Sequence, residues 1–142
     1  MPLPRTALYG LGENLHIAVW PGDDSLTKDI TRFIAREGRS FVVSVGALLR
    51  KSDIHDGIPH HEHLRETAPD IFSNGGSCIA APNGEWVIPP IVNEEGLFTA
   101  TIAHTEVLRE RQNFDSVGHY SRPDVPRLHV NRQRQSVVEY ED

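Results

Sequence analysis

Cysteine is almost missing from this 142-residue chain, with Cys78 the only one. A single thiol excludes an internal disulfide and any zinc site assembled from several cysteines. Lysine is nearly as scarce: Lys28 and Lys51 are the only two. Positive charge as a whole is in deficit, 14 Lys+Arg against 20 Asp+Glu, for a formal charge of −6. That balance argues against binding to a nucleic-acid backbone, which needs clustered positive charge. Long hydrophobic runs are absent too. The longest, residues 41–49, is broken by Ser44 and Gly46 and falls far short of the roughly 20 residues of a membrane span. The first twenty residues have no basic start followed by an apolar block, so no secretory signal is visible. The expectation is a soluble, cytoplasmic chain with no membrane partner. Hydrophobic residues at 38% and charged ones at 24% are ordinary for one globular domain with a real core.

What is present reads as α/β. Met1-Pro2-Leu3-Pro4 leads into a short helical stretch that Gly10 or Gly12 stops, since proline is tolerated in a first turn and glycine ends helices. His16-Ile17-Ala18-Val19-Trp20 is a compact apolar run closed by Pro21-Gly22, a buried strand and its turn. Asp23, Asp24 and Ser25 are N-cap candidates for a helix ending at Gly38, with Leu26, Ile30, Phe33 and Ile34 spaced to share one face. Residues 40–45 are β-branched and strand-like. Strand, helix, strand is a βαβ pattern, which implies a sheet with covered faces. Residues 50–74 form a polar stretch with little periodicity, in which only residues 63–67 suggest a helical turn. Residues 77–81 and 86–88 flank Pro82-Asn83-Gly84, and Asn-Gly is the strongest short hairpin signal. A turn at 93–96 precedes a further strand-like run, 97–102. Residues 104–112 read as a closing helix with Val107, Leu108 and Arg111 on its covered side. From Asn113 onward the chain is polar, with Pro123 and Pro126, and reads as an extended arm.

No catalytic constellation emerges from these residues. A reactive cysteine wants an electropositive, partly exposed setting with a base nearby. Cys78 instead sits between Ser77 and Ile79 at the start of a hairpin, a buried strand position. His55-Asp56 and His60-His61-Glu62-His63 are metal-capable side chains, but their spacing lacks the His-x-x-x-His of a helical zinc face. A solvated polar loop without metal is the expectation. Gly75-Gly76-Ser77 matches neither a nucleophile elbow nor a phosphate loop, and the glycines imply a tight backbone turn. Arg127, Arg132 and Arg134 are balanced by Glu139, Glu141 and Asp142, a solvated tail. In α/β sheets ligands collect beyond strand C-terminal ends, so Trp20-Pro21-Gly22 is the candidate substrate-facing element. Trp20 reads equally well as a core side chain.

Longer motifs carry a resemblance. The run Gly75-Gly76-Ser77-Cys78-Ile79-Ala80-Ala81-Pro82-Asn83-Gly84, followed by Glu95-Gly96-Leu97-Phe98-Thr99-Ala100, resembles the closing strands of the carbon–nitrogen hydrolase superfamily. Phe114-Asp115-Ser116-Val117-Gly118-His119-Tyr120-Ser121-Arg122-Pro123-Asp124-Val125 is similar to the C-terminal motif of its nitrilase branch. Ala18-Val19-Trp20-Pro21-Gly22 and the helix through Asp29-Ile30-Thr31-Arg32-Phe33-Ile34 match the same branch.

The resemblance implies the reaction of a nitrile with water to give a carboxylic acid and ammonia, with no cofactor. It implies a Glu–Lys–Cys triad in which the thiolate adds to the nitrile carbon. The nucleophile's motif is followed in that branch by Met-Pro-Leu, which here is Met1-Pro2-Leu3. No residue of this sequence therefore matches a triad member, Cys78 included, and a truncated chain inactive alone is expected. The implied fold is the C-terminal half of an α-β-β-α sandwich, incomplete by itself. Residues 1–105 would belong to the hydrolase domain and 106–142 to a C-terminal helix and arm docking on a partner subunit. The strands at 17–20 and 41–45 would lack neighbours. The implied partners are a small-molecule nitrile and either further copies in a homo-oligomer or a missing N-terminal half. A subunit of a split enzyme completed in trans and a non-catalytic scaffold remain as alternatives.

Overall fold

The computed structural model describes residues 1–134 and 136–138. A short helix, α1 (Pro2–Gly10), precedes strand β1 (Leu15–Trp20), helix α2 (Asp24–Gly38) and strand β2 (Phe41–Gly46). Strand β3 (Leu48–Arg50), a 3-10 turn (Lys51–Asp53) and helix α3 (His61–Thr67) follow. The long strand β4 (Ile71–Ala80), strand β5 (Trp86–Val92) and helix α4 (His104–Asn113) complete the order. The fold is α/β with a mixed sheet: β1 pairs with β2 in parallel, while β2, β3 and β5 pair with β4 antiparallel.

β2 and β3 share one edge of β4. Ser44 faces Cys78 and Leu48 faces Asn74; both pairs of numbers sum to 122, so the two strands continue one ladder with a break between them. The sheet is therefore four strands wide, β1, then β2 with β3, then β4, then β5. Strand β2, expected to lack neighbours, has one on each side. Strand β1 keeps an open edge.

Helix α2 starts at Asp23, whose carboxylate accepts the Ser25 N–H at 3.1 Å, an N-cap bond. Its covered stripe is Thr27, Thr31, Ile34, Ala35 and Gly38; of the apolar set expected there, Ile34 is buried and Ile30 packs against the core, while the other two are not covered. Leu26 and Phe33 are exposed, Phe33 at 53%. The small residues win because the helix lies close to the sheet. Thr27 and Thr31 enter this stripe by donating their hydroxyls to backbone carbonyls one turn back, at 2.9 and 2.8 Å. Ala18, Ile34, Ala35, Val42 and Ala80 form the core beneath. A second cluster joins Phe41, Ala81 and Val107 of α4. Leu108, expected on the covered side, is exposed; Arg111 does reach inward, donating to Asn14 Oδ1 at 3.0 Å.

The opposite face of the sheet is covered by α4 only at Phe41 and is otherwise largely bare among the described residues. Ile17 is 57% exposed, Val19 75% and Val45 43%. The two sheet edges are also unlike. β5 carries adjacent prolines, Pro89 and Pro90. Neighbouring residues of a strand point their N–H groups to opposite sides, so one of the two removes a donor from the outer edge. β1 (Leu-His-Ile-Ala-Val-Trp) has neither proline nor lysine to blunt it.

Two stretches depart from expectation. Residues 97–102 form no strand, and no neighbour pairs with them among the described residues. Residues 116–120 and 123–124 are turns rather than an extended arm. Asp115 holds the first, accepting the N–H groups of Val117 and Gly118 at 3.1 and 3.0 Å. The phenyl ring of Phe114 packs at 4.9 Å from Tyr120. Glu139, Glu141 and Asp142 lie outside the described residues.

Helix α1 is fastened to α2 by one carboxylate. Glu37 Oε2 accepts from Arg5 Nη2 at 3.0 Å and from the Tyr9 hydroxyl at 2.8 Å. Gly38 makes room for the Tyr9 ring, since a Cβ there would lie 2.5 Å from it. Burial, then the bond to Glu37, pushes the Tyr9 hydroxyl well above the usual phenol value. Because the folded value is raised, this stability is present below about pH 10 and is lost as pH rises beyond it. Tyr9→Phe is expected to cost about 1–2 kcal/mol at pH 7 and to shrink the alkaline loss of stability, measured by urea unfolding from pH 8 to 11. An unchanged alkaline limb would contradict the assignment.

Candidate functional site

The C-terminal ends of the parallel strands β1 and β2 lie side by side, with Trp20 opposite Gly46. This is where an α/β sheet presents loops to a ligand. A cleft of about 260 Å3 opens there, bounded by Gly46, Gly75, Ser77, Glu94, Glu95 and Phe98. It is not the largest hollow; one of about 750 Å3 lies between α1 and residues 116–129. Size alone is a poor guide here, because only the smaller cleft sits at the strand ends.

A bulge in β4 shapes the cleft. Gly75 pairs with Val92 and Ser77 with Ile91, so Gly76 is the extra residue. Both glycines have positive φ, +89° and +86°, a conformation that suits glycine. The tight turn expected of Gly75-Gly76 is thus a bulge inside a strand that begins at Ile71, well within the supposed polar loop. A Cβ on Gly46 would lie 2.1 Å from the Gly75 carbonyl oxygen, and one on Gly76 would lie 2.7 Å from Asp24 Cβ. Ser77 Oγ lies 3.2 Å from the Gly46 N–H that it accepts and 3.3 Å from the Gly46 carbonyl.

Asn74 ties the two walls together. Its amide donates to Asp24 Oδ1 at 2.6 Å and accepts the Asp24 N–H at 3.0 Å. Its carbonyl accepts from Asn93 N–H at 2.7 Å. The first contact anchors the start of α2, directly after Trp20-Pro21-Gly22. The second anchors the loop of Glu94 and Glu95, of which Glu95 pairs with Arg50. The Asn74 amide holds the Asp24 carboxyl below the usual range. No feature of the sequence marked Asn74, because its partners are 50 and 19 positions away.

The sequence-derived candidates fall out as follows. Trp20 is half-buried against the core beneath α2, and its indole nitrogen is buried without an acceptor among the described residues. Pro21 and Gly22 form the turn that follows, with the Gly22 carbonyl oxygen 3.6 Å from where a Gly46 Cβ would stand. Cys78 is 3% exposed and points under α2 rather than into the cleft. Burial pushes its thiol up, against the smaller effect of hydrogen bonds with Ser44 and Thr31. Such a thiol holds its proton at neutral pH and is a poor nucleophile. His61 and His63 lie on α3, and His55 Nδ1 accepts the Gly57 N–H at 3.1 Å. Among the described residues no three His, Cys, Asp or Glu side chains gather as a metal site would require. The cleft holds a hydroxyl, two carboxylates and backbone groups; it can bind and orient, and its Ser77 hydroxyl engages backbone rather than a base.

No family model matches the chain. Individual relatives do. Nitrilase 2 of Arabidopsis thaliana is 38% identical over 146 residues, covering 99% of this chain and 42% of the relative. Nitrilase 1 of the same plant is 39% identical over 145 residues, 97% of this chain and 41% of the relative. An aliphatic nitrilase of Sinorhizobium fredii is 35% identical over 138 residues, 97% of this chain and 44% of the relative. The mixed α/β sheet is consistent with a nitrilase-like sandwich. Over most of its length the chain is homologous to the nitrilase branch of the carbon–nitrogen hydrolases. It spans about two-fifths of the length of the curated relatives it matches.

Gly46→Ala is expected to lower stability by about 2–3 kcal/mol, since the new methyl group meets backbone and not a yielding side chain. Urea unfolding measures it; a loss under 0.5 kcal/mol, roughly the range of neutral surface changes, would show that the β2–β4 contact is loose.

Proposed function

We propose that these 142 residues form the C-terminal part of a nitrilase-type hydrolase domain, supplying one sheet and one wall of the substrate pocket. The reaction is hydrolysis of a nitrile to a carboxylic acid and ammonia. Nucleophile, base and lysine come from the complementary part of the domain, so the 142 residues alone do not turn over nitriles. The observation that carries this reading is the pairing of near-complete coverage of this chain with coverage of only about two-fifths of each nitrilase. The uncovered face around Ile17, Val19 and Val45, together with the unblunted edge of β1, supports a second sheet packed there. Of Trp20-Pro21-Gly22, the Pro21-Gly22 turn stands beside Gly46 at the rim of the cleft on the substrate side, while the Trp20 ring packs beneath α2. The domain extends through residue 105, and residues 106–142, the C-terminal helix and arm, contact a neighbouring subunit.

Two measurements test the proposal. Ammonia release from a simple aliphatic or aromatic nitrile is expected to be absent with the chain alone. It is expected to appear when the remaining, N-terminal part of a nitrilase relative is co-expressed with it. Activity of the chain alone that Cys78→Ala abolishes would overturn the reading. The Cys78 thiol is also expected to react with a disulfide reagent only as fast as the protein opens. Immediate stoichiometric labelling of the folded chain would mean that α2 does not cover it.

A further inference from the structure

On the outer side of α2, away from the cleft, a hollow of about 390 Å3 is lined by Phe33, Arg36, Glu37, Arg39 and Phe114. Two guanidinium groups, Arg36 and Arg39, line it, Arg5 stands behind Phe33 and Glu37, and the charges of the three are unequally matched. Arg5 is paired with Glu37 at 3.0 Å and Arg39 with Glu110 at 3.2 Å. Arg36 pairs with no carboxylate among the described residues. Arg39 is held in the left-handed region, φ +49° and ψ +48°, where its N–H caps the last turn of α2. Its Nε is buried and has no acceptor among the described residues. The walls are aromatic: the Arg39 guanidinium lies 5.3 Å over the Phe114 ring, and Arg5 lies 5.9 Å from the Phe33 ring. Phe33 still leaves half its surface bare.

An acceptor of negative charge would match the unpaired Arg36, and a carboxylate suits the planar fork of a guanidinium. Two phenyl rings flanking that charge favour a flat, π-bearing body over an aliphatic one. The volume falls within the range of small-molecule pockets. We infer that the hollow between α2 and α4 binds a small aromatic carboxylate, its ring lying between Phe33 and Phe114 and its carboxylate meeting Arg36 and Arg39. This site is separate from the cleft at the strand ends and stands whether or not that cleft serves a nitrilase.

Benzoate is the probe, titrated into the full chain and followed by the NMR shifts of residues 33–39 and 110–114. Saturable shifts confined to these segments are expected. Arg36→Ala, an exposed change, is expected to weaken binding roughly tenfold, the worth of one charge-assisted pair of about 1.4 kcal/mol. Phe33→Leu is expected to weaken benzoate binding while leaving acetate, itself a weak ligand, unaffected. Absence of saturation, or benzoate binding unchanged in both variants, would overturn the inference. Equal affinity for cyclohexanecarboxylate would show that the hollow reads charge alone and would overturn the aromatic assignment.

Discussion

Helix α2 can lie where it does only because side chains are missing around it. At its start Gly76 leaves room for Asp24; at its end Gly38 leaves room for Tyr9; along its flank Gly84 leaves room for Arg36, where a Cβ would sit 2.3 Å from Cγ. Each contact fixes a different neighbour: the β4 bulge, helix α1 and the β4–β5 hairpin. The helix then presents threonine, alanine and glycine to the sheet, so that close-packed small groups, not long aliphatic ones, fill the space between the layers. Arg32 completes the third contact, donating to the Gly84 carbonyl at 2.7 Å and lying 5.5 Å over the Trp86 ring.

The cleft inherits its shape from this constraint. With α2 held by Asp24, the turn that ends β1 is held too. Because Asn74 bonds to Asp24 with its side chain and to Asn93 with its carbonyl, the opposite wall is registered against the same residue. A hollow whose two walls meet on one asparagine is preorganised in the sense that ligand binding requires little ordering. Cys78 shows the other consequence: a strand residue one position from cleft-lining Ser77 points to the opposite face, under the helix, and loses its chemistry to burial.

Period and turn chemistry made the strand–helix–strand unit and the Asn-Gly hairpin legible, because those signals are local. Helix boundaries were legible from Asp23 and Gly38. The covered face of α2 was legible only at Ile30 and Ile34. Apolar spacing pointed to Leu26 and Phe33, whereas distance to the sheet, a tertiary quantity, selected Thr27 and Thr31. Strand β3 and the first half of β4 were hidden by their polar residues and by two glycines that signal a turn and a bulge alike. Residues 97–102 show the converse. Their β-branched composition is strand-like, yet strand formation depends on a pairing partner, and none of the described strands offers one. At the site, Trp20-Pro21-Gly22 was legible as a strand end, while the bulge and Asn74 act through contacts far apart in sequence.

The unequal sheet edges have a consequence for how copies of this chain stick together. A sheet with two bare edges can grow without limit, adding strand to strand into a filament. Here a proline interrupts the outer edge of β5, while among the described residues β1, and β3 on the same side, leave theirs unpaired. Two molecules meeting edge to edge through β1 would each use up the side that no proline interrupts. Pairing by this route therefore joins like edges and favours a closed dimer over an open-ended fibre.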